Sequence, residues 1–267
     1  MADLDTMTYL FDLQGFLLID GVLNAEEVAT LDALLDERLV DGTGLPSSGM
    51  DFGMGGSGPE GAGFLEWGKP FCDLLDHPRI MPILRFILGD GFRIDHLYGI
   101  QMRNGTAGLG LHGGAIPVYT PSEMYDFRHG QMYTGLTVVS WNLADSGPDQ
   151  GGFLCVPGSH KSNLPVPQEI MDAHEKASCV LVPKAPAGSV VIFPEALSHG
   201  TAPWKAEHQR RSLLFKYNPS HIASSRMQAG PPLNVELTPR QRQLFNPPSN
   251  PGSFGRPSLF EPEYERA

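Results

Sequence analysis

Residues 189–201 read Ser-Val-Val-Ile-Phe-Pro-Glu-Ala-Leu-Ser-His-Gly-Thr, a short apolar run that ends in a turn and a histidine. Valine, isoleucine and phenylalanine fit the pleated surface of a strand, so Ser189–Phe193 is predicted to be one. The same pattern recurs nearby, and strands are also predicted over Ile94–Met102, Tyr133–Asn142, Gly152–Val156 and Ser212–Tyr217. Short strands with turns between them are typical of an antiparallel sandwich or barrel.

The N-terminal part of the chain has a different pattern. Phe11–Asp20 is predicted to be a short strand, and Asn24-Ala25-Glu26-Glu27 resembles the capping box that begins a helix. Apolar residues at helical spacing follow it, and a second helix is predicted over Pro78–Leu88, ending at Gly89. Helices before strands predict an α+β fold in which N-terminal helices pack on a β core.

The composition is compatible with one domain that spans residues 1–267. With 267 residues, 41% of them hydrophobic, the chain can bury a large core. Two segments are predicted to be irregular, a Gly-rich loop over residues 42–63 and a Pro-rich tail over residues 219–267. A loop as long as the first is often an active-site lid.

The charge and the ends of the chain limit its partners and its location. A net charge of -11 without a basic stripe argues against a nucleic-acid polymer or an anionic membrane surface, which leaves a small molecule as the expected substrate. The acidic N-terminus does not resemble a signal peptide, and no run of about 18 apolar residues predicts a membrane span. The three cysteines, Cys72, Cys155 and Cys179, are predicted to be buried thiols in a reducing cytoplasm.

Two histidines follow predicted strands. His112 lies in the Gly-rich turn Gly-Leu-Gly-Leu-His-Gly-Gly of residues 108–114, and His199 follows the strand at 189–193. They are far apart in sequence, but two antiparallel strands of a jelly roll would bring them together. Neutral imidazole is a good ligand for Fe(II), so the pair is a candidate metal site.

Together, three motifs resemble the phytanoyl-CoA dioxygenase family of non-haem iron, 2-oxoglutarate-dependent enzymes. They are His112-Gly113-Gly114, the segment Gly-Gly-Phe-Leu-Cys-Val-Pro-Gly-Ser-His-Lys of residues 151–161, and Ser198-His199-Gly200-Thr201. The resemblance extends from about Phe11 to Tyr217 and implies a double-stranded β-helix, also called a jelly-roll or cupin-like fold. It also implies that Fe(II), 2-oxoglutarate and dioxygen take part in the reaction.

The resemblance assigns roles to individual residues. His112 and His199 would bind the iron, and Thr201 would contact the 2-oxoglutarate. An arginine at the position of Arg210 would bind the far carboxylate of 2-oxoglutarate, which requires a charged, bidentate donor. Arg211 is the competitor, because neighbouring strand residues face opposite sides and only one of the two arginines can point inward.

Gly114 stands where the family has the carboxylate of its His-x-Asp/Glu motif. In this respect the chain resembles the iron/2-oxoglutarate halogenases, in which alanine or glycine takes that position and chloride restores the missing negative charge. The sequence therefore favours a halogenase that chlorinates an unactivated carbon of a free small molecule, with a nucleotide-like substrate as the expected class. Lys69, Arg103, Arg128 and Lys216 are candidates to bind a phosphate or carboxylate of that substrate.

Three alternatives stay open. The first is a hydroxylase that takes its carboxylate from elsewhere, with Glu123, Asp126 and Asp149 nearest in sequence to the first histidine motif. The second is a hydroxylase that works with two histidines and water. The third is a family member that no longer catalyses a reaction and serves as a binding module.

Overall fold

The chain folds around an antiparallel β core in a computed structural model that describes residues 3–39, 51–56, 61–114, 120–226, 228–249 and 256–261. The α-helices are α1 (Leu4–Gln14), α2 (Ala25–Arg38), α3 (Lys69–Cys72), α4 (Met81–Leu88), α5 (Gln168–Ala173) and α6 (Pro239–Leu244). The strands are β1 (Leu17–Ile19), β2 (Asp51–Gly55), β3 (Arg93–Met102), β4 (Leu109–His112), β5 (Tyr125–Arg128), β6 (Gln131–Thr134), β7 (Thr137–Asn142), β8 (Gly152–Cys155), β9 (Val190–Pro194), β10 (His199–Ala202) and β11 (Arg210–Asn218).

The strands form two main sheets. The larger sheet has six strands in the order β1-β9-β7-β11-β3-β2, and the smaller has three in the order β4-β10-β8. Strands β5 and β6 form a separate hairpin. All these strand pairs are antiparallel, and neighbours within a sheet are often distant in sequence. The predicted α+β class and the jelly-roll core are confirmed.

The alternation of side chains along β11 separates the helical layer from the interior of the roll. Leu213, Phe215 and Tyr217 belong to the apolar core that the helices share with the large sheet. Leu214 points the other way, into a second core between the two sheets that also contains Phe153 of β8. Because successive strand residues face opposite sides, Arg210 and Lys216 lie on the same face as Leu214, inside the roll.

The N-terminus begins with a helix that the sequence prediction missed. Asp3 caps α1 by accepting a hydrogen bond from the Thr6 N–H, and Gly15 ends the helix in the left-handed conformation. Phe11 therefore lies in α1, and only Leu17–Ile19 of the strand predicted over Phe11–Asp20 is extended. The capping box at Asn24 is present as predicted, with Asn24 accepting from the N–H groups of α2.

Several other predicted boundaries were wrong. The strand predicted over Tyr133–Asn142 is two strands, β6 and β7, because Gly135 packs closely against the backbone of residues 121–122. The second predicted helix begins at Met81 rather than at Pro78. Part of the Gly-rich segment forms the edge strand β2, and the tail contains α6 with a capping box at Thr238. Residues 42–50 and 57–60 of the Gly-rich segment lie outside the described residues.

Two of the three cysteines are buried. Cys72 and Cys155 are buried as predicted, and burial raises the pKa of each thiol to about 12, whereas Cys179 is exposed, contrary to the prediction.

Across the ranges that the structure describes, no helix has the length and apolar character needed to cross a membrane.

Candidate active site

His112 and His199 lie side by side on the small sheet. They are direct cross-strand partners at the paired ends of β4 and β10, and the centres of their rings are 4.2 Å apart. His199 is buried, with the ring of Phe193 4.6 Å from its own, whereas His112 is exposed. The antiparallel pairing thus brings together two residues that are distant in sequence.

The hydrogen bonds of the two rings leave the same nitrogen free on each. The Nδ1 of His112 lies 3.0 Å from the carbonyl oxygen of Gly110, and the Nδ1 of His199 lies 2.7 Å from that of Leu197. With Nδ1 donating to a carbonyl, Nε2 carries the lone pair that a metal ion requires. Burial lowers the pKa of His199 to about 4, so its ring is neutral at pH 7.

Glu195 brings a carboxylate to the two histidines. Its Oε2 lies 3.9 Å from the Nε2 of His199, and one donor atom from each of Glu195, His112 and His199 lies within 4.8 Å of the others. Its Oε1 lies 2.7 Å from the Nζ of Lys216. Burial opposes ionisation of Glu195, but Lys216 and His199 more than compensate and lower the pKa of its carboxyl to about 2.

The donor set fits iron. Two imidazoles and one carboxylate are the ligands of the facial triad found in non-haem Fe(II) oxygenases. Here the carboxylate is four residues before the second histidine rather than two residues after the first. His112, His199 and Glu195 could therefore hold Fe(II).

The turn at Gly113 and Gly114 packs tightly against the loop from Glu195 to Ser198. Both glycines have a left-handed backbone, with φ of +70° and +84°. A Cβ on Gly113 would lie 2.3 Å from the carbonyl oxygen of Glu195, and one on Gly114 would lie 2.1 Å from the Oγ of Ser198. Ser198 also donates a hydrogen bond to the carbonyl of Gly113, at 3.3 Å. Glycine at position 114 thus has a packing reason that is independent of any halide.

The acidic residues that the sequence suggested as donors lie elsewhere. Glu123 accepts a hydrogen bond from the Thr120 hydroxyl, Asp126 pairs with Arg128, and Asp149 is exposed. Within the described residues, the group of donors around His112 and His199 contains Glu195 and none of these three.

The Pro-Gly-Ser-His-Lys motif supports the second histidine. The Ser159 Oγ accepts a hydrogen bond from the Ser198 N–H at 2.8 Å, and the Val156 N–H donates to the Ser198 carbonyl at 2.9 Å. His160 lies 3.0 Å from the carbonyl of Asp12 in α1. The motif therefore ties the turn before His199 to the N-terminal helix.

Arg210 and Arg211 occupy different environments. Arg211 points outward and pairs with Asp32 at 3.1 Å and with Asp36, both on α2. Arg210 points into the roll and is 3% exposed; its Nη1 lies 3.3 Å from the sulfur of Met102, and its Nε has no hydrogen-bond partner among the described residues. Burial lowers the pKa of Arg210 to about 10. A buried guanidinium with an unsatisfied donor is suited to binding a carboxylate such as that of 2-oxoglutarate.

The remaining predicted residues have simple placements. Thr201 is buried on β10, opposite Phe153 of β8. Lys69 pairs with Asp73, and Lys216 points into the roll, where it pairs with Glu195. The predicted substrate contact at Lys216 is therefore occupied by a neighbouring side chain.

Sequence reasoning missed Glu195 and the pairing role of Lys216. For Lys216 a signal existed, because residues 210, 212, 214 and 216 share one face of a strand. For Glu195 the only signal was its position in the turn before His199, which does not reveal where its side chain points.

Comparisons with known proteins indicate which family the chain belongs to. The family model for phytanoyl-CoA dioxygenase (PhyH) matches residues 11–212. Ectoine dioxygenase from Sphingopyxis alaskensis is 22% identical over 248 residues, which cover 85% of this chain and 78% of that protein. HygX from Streptomyces hygroscopicus, in its crystal structure with nickel and 2-oxoglutarate, has a TM-score of 0.68 and 24% identity over 83% of this chain and 89% of HygX. A HygX structure that also contains hygromycin B gives 0.66 and 26%, over 82% and 88%.

The matched segment spans most of the chain and contains both histidines and Arg210. The protein therefore belongs to the phytanoyl-CoA dioxygenase family and is an Fe(II)- and 2-oxoglutarate-dependent oxidoreductase.

Proposed function

We propose that the protein hydroxylates an unactivated carbon of a freely diffusing small molecule. The observation that supports this most directly is the carboxylate of Glu195 beside the two histidines. Bound iron would supply the oxidising chemistry, coupled to the conversion of 2-oxoglutarate and dioxygen to succinate and carbon dioxide. The chloride expected from the sequence is not required in this proposal, because Glu195 supplies the negative charge that Gly114 lacks.

Each residue of the site has a distinct part. His112 and His199 would donate through Nε2, since their Nδ1 atoms are engaged by backbone carbonyls. Glu195 would donate through Oε2, since its Oε1 is held by Lys216. Arg210 would hold the far carboxylate of 2-oxoglutarate, because a buried guanidinium whose Nε has no hydrogen-bond partner among the described residues favours an anion there.

The relatives support a small substrate rather than a polymer. Ectoine dioxygenase is named for ectoine, and one HygX structure contains hygromycin B. Neither name refers to a nucleic-acid polymer, which agrees with the net charge of -11 and its argument against such a partner. The nucleotide-like substrate class suggested by the sequence stays a prediction.

Halogenation is the second candidate, and one observation favours it. The 2.7 Å ion pair with Lys216 already satisfies one oxygen of Glu195, so the carboxylate has a stable partner without iron. If Glu195 stayed with Lys216, the site would have two histidines and no carboxylate donor. Chloride would then take the third ligand position, as expected from Gly114.

The products distinguish the two candidates. We would incubate the purified protein with Fe(II), 2-oxoglutarate, air and a library of small metabolites, with and without chloride. The proposal expects a product heavier by one oxygen atom, formed equally well without chloride. A product heavier by one chlorine less one hydrogen, with turnover that requires chloride, would establish halogenation instead.

A further inference from the structure

We propose that Lys216 is a positioning residue that limits Glu195 to a single donor oxygen. This proposal rests on the proposed function, in which Glu195 binds the iron. It concerns a residue that does not itself contact the metal or the cosubstrate but controls how another residue does.

Lys216 is held firmly where it meets Glu195. It lies on β11, opposite His96 of β3 and Val138 of β7, and its side chain is 11% exposed. Its Nζ lies 2.7 Å from the Oε1 of Glu195 and 5.3 Å from the centre of the Tyr98 ring. A buried ammonium between a carboxylate and an aromatic face has two attractive partners and little freedom to leave.

The two oxygens of Glu195 are therefore not equivalent. Oε1 is engaged by Lys216, whereas Oε2 faces the Nε2 of His199 at 3.9 Å. A glutamate can bind a metal through one oxygen or through both. By occupying Oε1, Lys216 leaves only Oε2 for the metal, so that positions stay open for 2-oxoglutarate.

Two substitutions should move binding in opposite directions. Lys216→Met removes the ammonium and frees both oxygens of Glu195. The affinity for Fe(II) should then be equal or tighter, while 2-oxoglutarate binds about 10- to 100-fold more weakly because the carboxylate competes with it. Lys216→Arg introduces a fork that can hold both oxygens, so the affinity for Fe(II) should fall about tenfold or more.

The experiment measures Fe(II) affinity anaerobically, and then 2-oxoglutarate affinity from the visible absorption of the iron complex. The matched control is Lys205→Met, which breaks another lysine–glutamate pair, the 3.4 Å contact with Glu175. Melting temperatures are recorded for every variant. The proposal is overturned if both Lys216 variants match the control, or if both lose iron affinity together with melting temperature, as a merely structural lysine would.

The double variant Glu195→Ala/Lys216→Met separates this proposal from the one it rests on. If Lys216 acts through Glu195, its substitution should change neither affinity once Glu195 is alanine. A further change in that background would show that Lys216 acts on its own, as a direct anchor for an anion, and would refute the positioning role. If Glu195→Ala alone leaves iron affinity unchanged, the ligand assignment of the proposed function fails instead.

Discussion

Two segments meet at the candidate iron site, and they contribute unequally. The turn of residues 112–114 contributes one imidazole and then two glycines with left-handed backbones. The loop of residues 195–199 contributes an imidazole and a carboxylate, and Lys216 and Ser159 hold it in place. In the family motif the carboxylate follows the first histidine, whereas here it precedes the second.

The difference shows that a carboxylate missing from one position of a motif can have a counterpart elsewhere in the fold. Gly114 suggests that the carboxylate has been lost and that an anion from solution replaces it. In the fold, Gly113 and Gly114 also allow the turn to lie directly against the Glu195–Ser198 loop. That close approach puts the two histidines and Glu195 within reach of one metal ion. The two glycines and Glu195 therefore belong to the same candidate site.

Removing Glu195 should have the largest effect. Glu195→Ala takes away the proposed carboxylate ligand, and even the outer partners of metal ligands typically contribute about 10- to 100-fold to metal affinity. We therefore expect Fe(II) affinity to fall about a hundredfold or more, with partial recovery on addition of formate, a carboxylate small enough to enter the gap. Equilibrium binding of Fe(II) under nitrogen measures both effects.

The control for this substitution is Glu123→Ala, at the acidic residue nearest in sequence to the first histidine motif. Glu123 hydrogen-bonds to Thr120 and lies outside the donor group, so its loss should leave iron affinity unchanged. If Glu123→Ala lowered the affinity for Fe(II) and Glu195→Ala did not, the assignment of the carboxylate to the loop of residues 195–199 would be refuted.

Arg210 lies on β11, outside both segments, and its substitution tests the binding of 2-oxoglutarate. Arg210→Met should weaken 2-oxoglutarate binding by about 3 kcal/mol, or roughly a hundredfold, because a buried charge pair is lost. Without 2-oxoglutarate, however, the same variant should melt at an equal or higher temperature, since a buried charge with no ion-pair partner in the described part of the chain is removed. Thermal melting with and without 2-oxoglutarate measures both effects.

Arg211→Met is the matched control. Because Arg211 pairs with acidic residues on α2, its loss should leave the shift in melting temperature caused by 2-oxoglutarate unchanged. If Arg211→Met abolished that shift and Arg210→Met did not, the anchor would be Arg211.

Much of this fold could be predicted because it depends on local chemistry. Strand residues alternate between two faces, so the sequence could specify that either Arg210 or Arg211 points inward, although not which one. The resemblance chose Arg210, and the observed β11 places it inside the roll. The apolar run before His199 likewise predicted β9 directly.

The rest depended on contacts between distant segments. The side chain of Glu195, in the turn after β9, is directed by Lys216, which lies on β11 of the large sheet. The N–H of Gly114 donates to the carbonyl of Glu195, and after β6 the N–H groups of Gly135 and Leu136 donate to the carbonyls of Met124 and Ser122. These contacts form only after the sheets assemble, so no local sequence pattern predicts them.

Alanine substitutions at Gly113 and Gly114 should lower the free energy of unfolding by different amounts. Gly113→Ala places a Cβ against two backbone carbonyls, those of Glu195 and Leu197, in a left-handed conformation. It should lower the free energy of unfolding by about 3 kcal/mol. Gly114→Ala should cost less, about 1–2 kcal/mol, because the Ser198 hydroxyl can rotate away.

Gly110→Ala is the control for both substitutions. Gly110 lies in β4, its φ is not positive, and a Cβ there would meet nothing within 4 Å. Urea unfolding of the three variants should rank them in the order Gly113, Gly114, Gly110. Equal losses at all three positions would mean that the turn does not lie against the Glu195–Ser198 loop.

The smallest expected effect concerns the support of the second segment. Ser159→Ala removes the acceptor of the Ser198 N–H and should lower the free energy of unfolding by about 1 kcal/mol. Because Ser198 adjoins His199, the variant should also weaken Fe(II) binding, by less than the Glu195 variant does. Ser162→Ala, at an exposed hydroxyl three residues away, should change neither quantity. If Ser159→Ala lowered stability but left iron binding intact, the loop would hold its two donor side chains in place without this hydrogen bond.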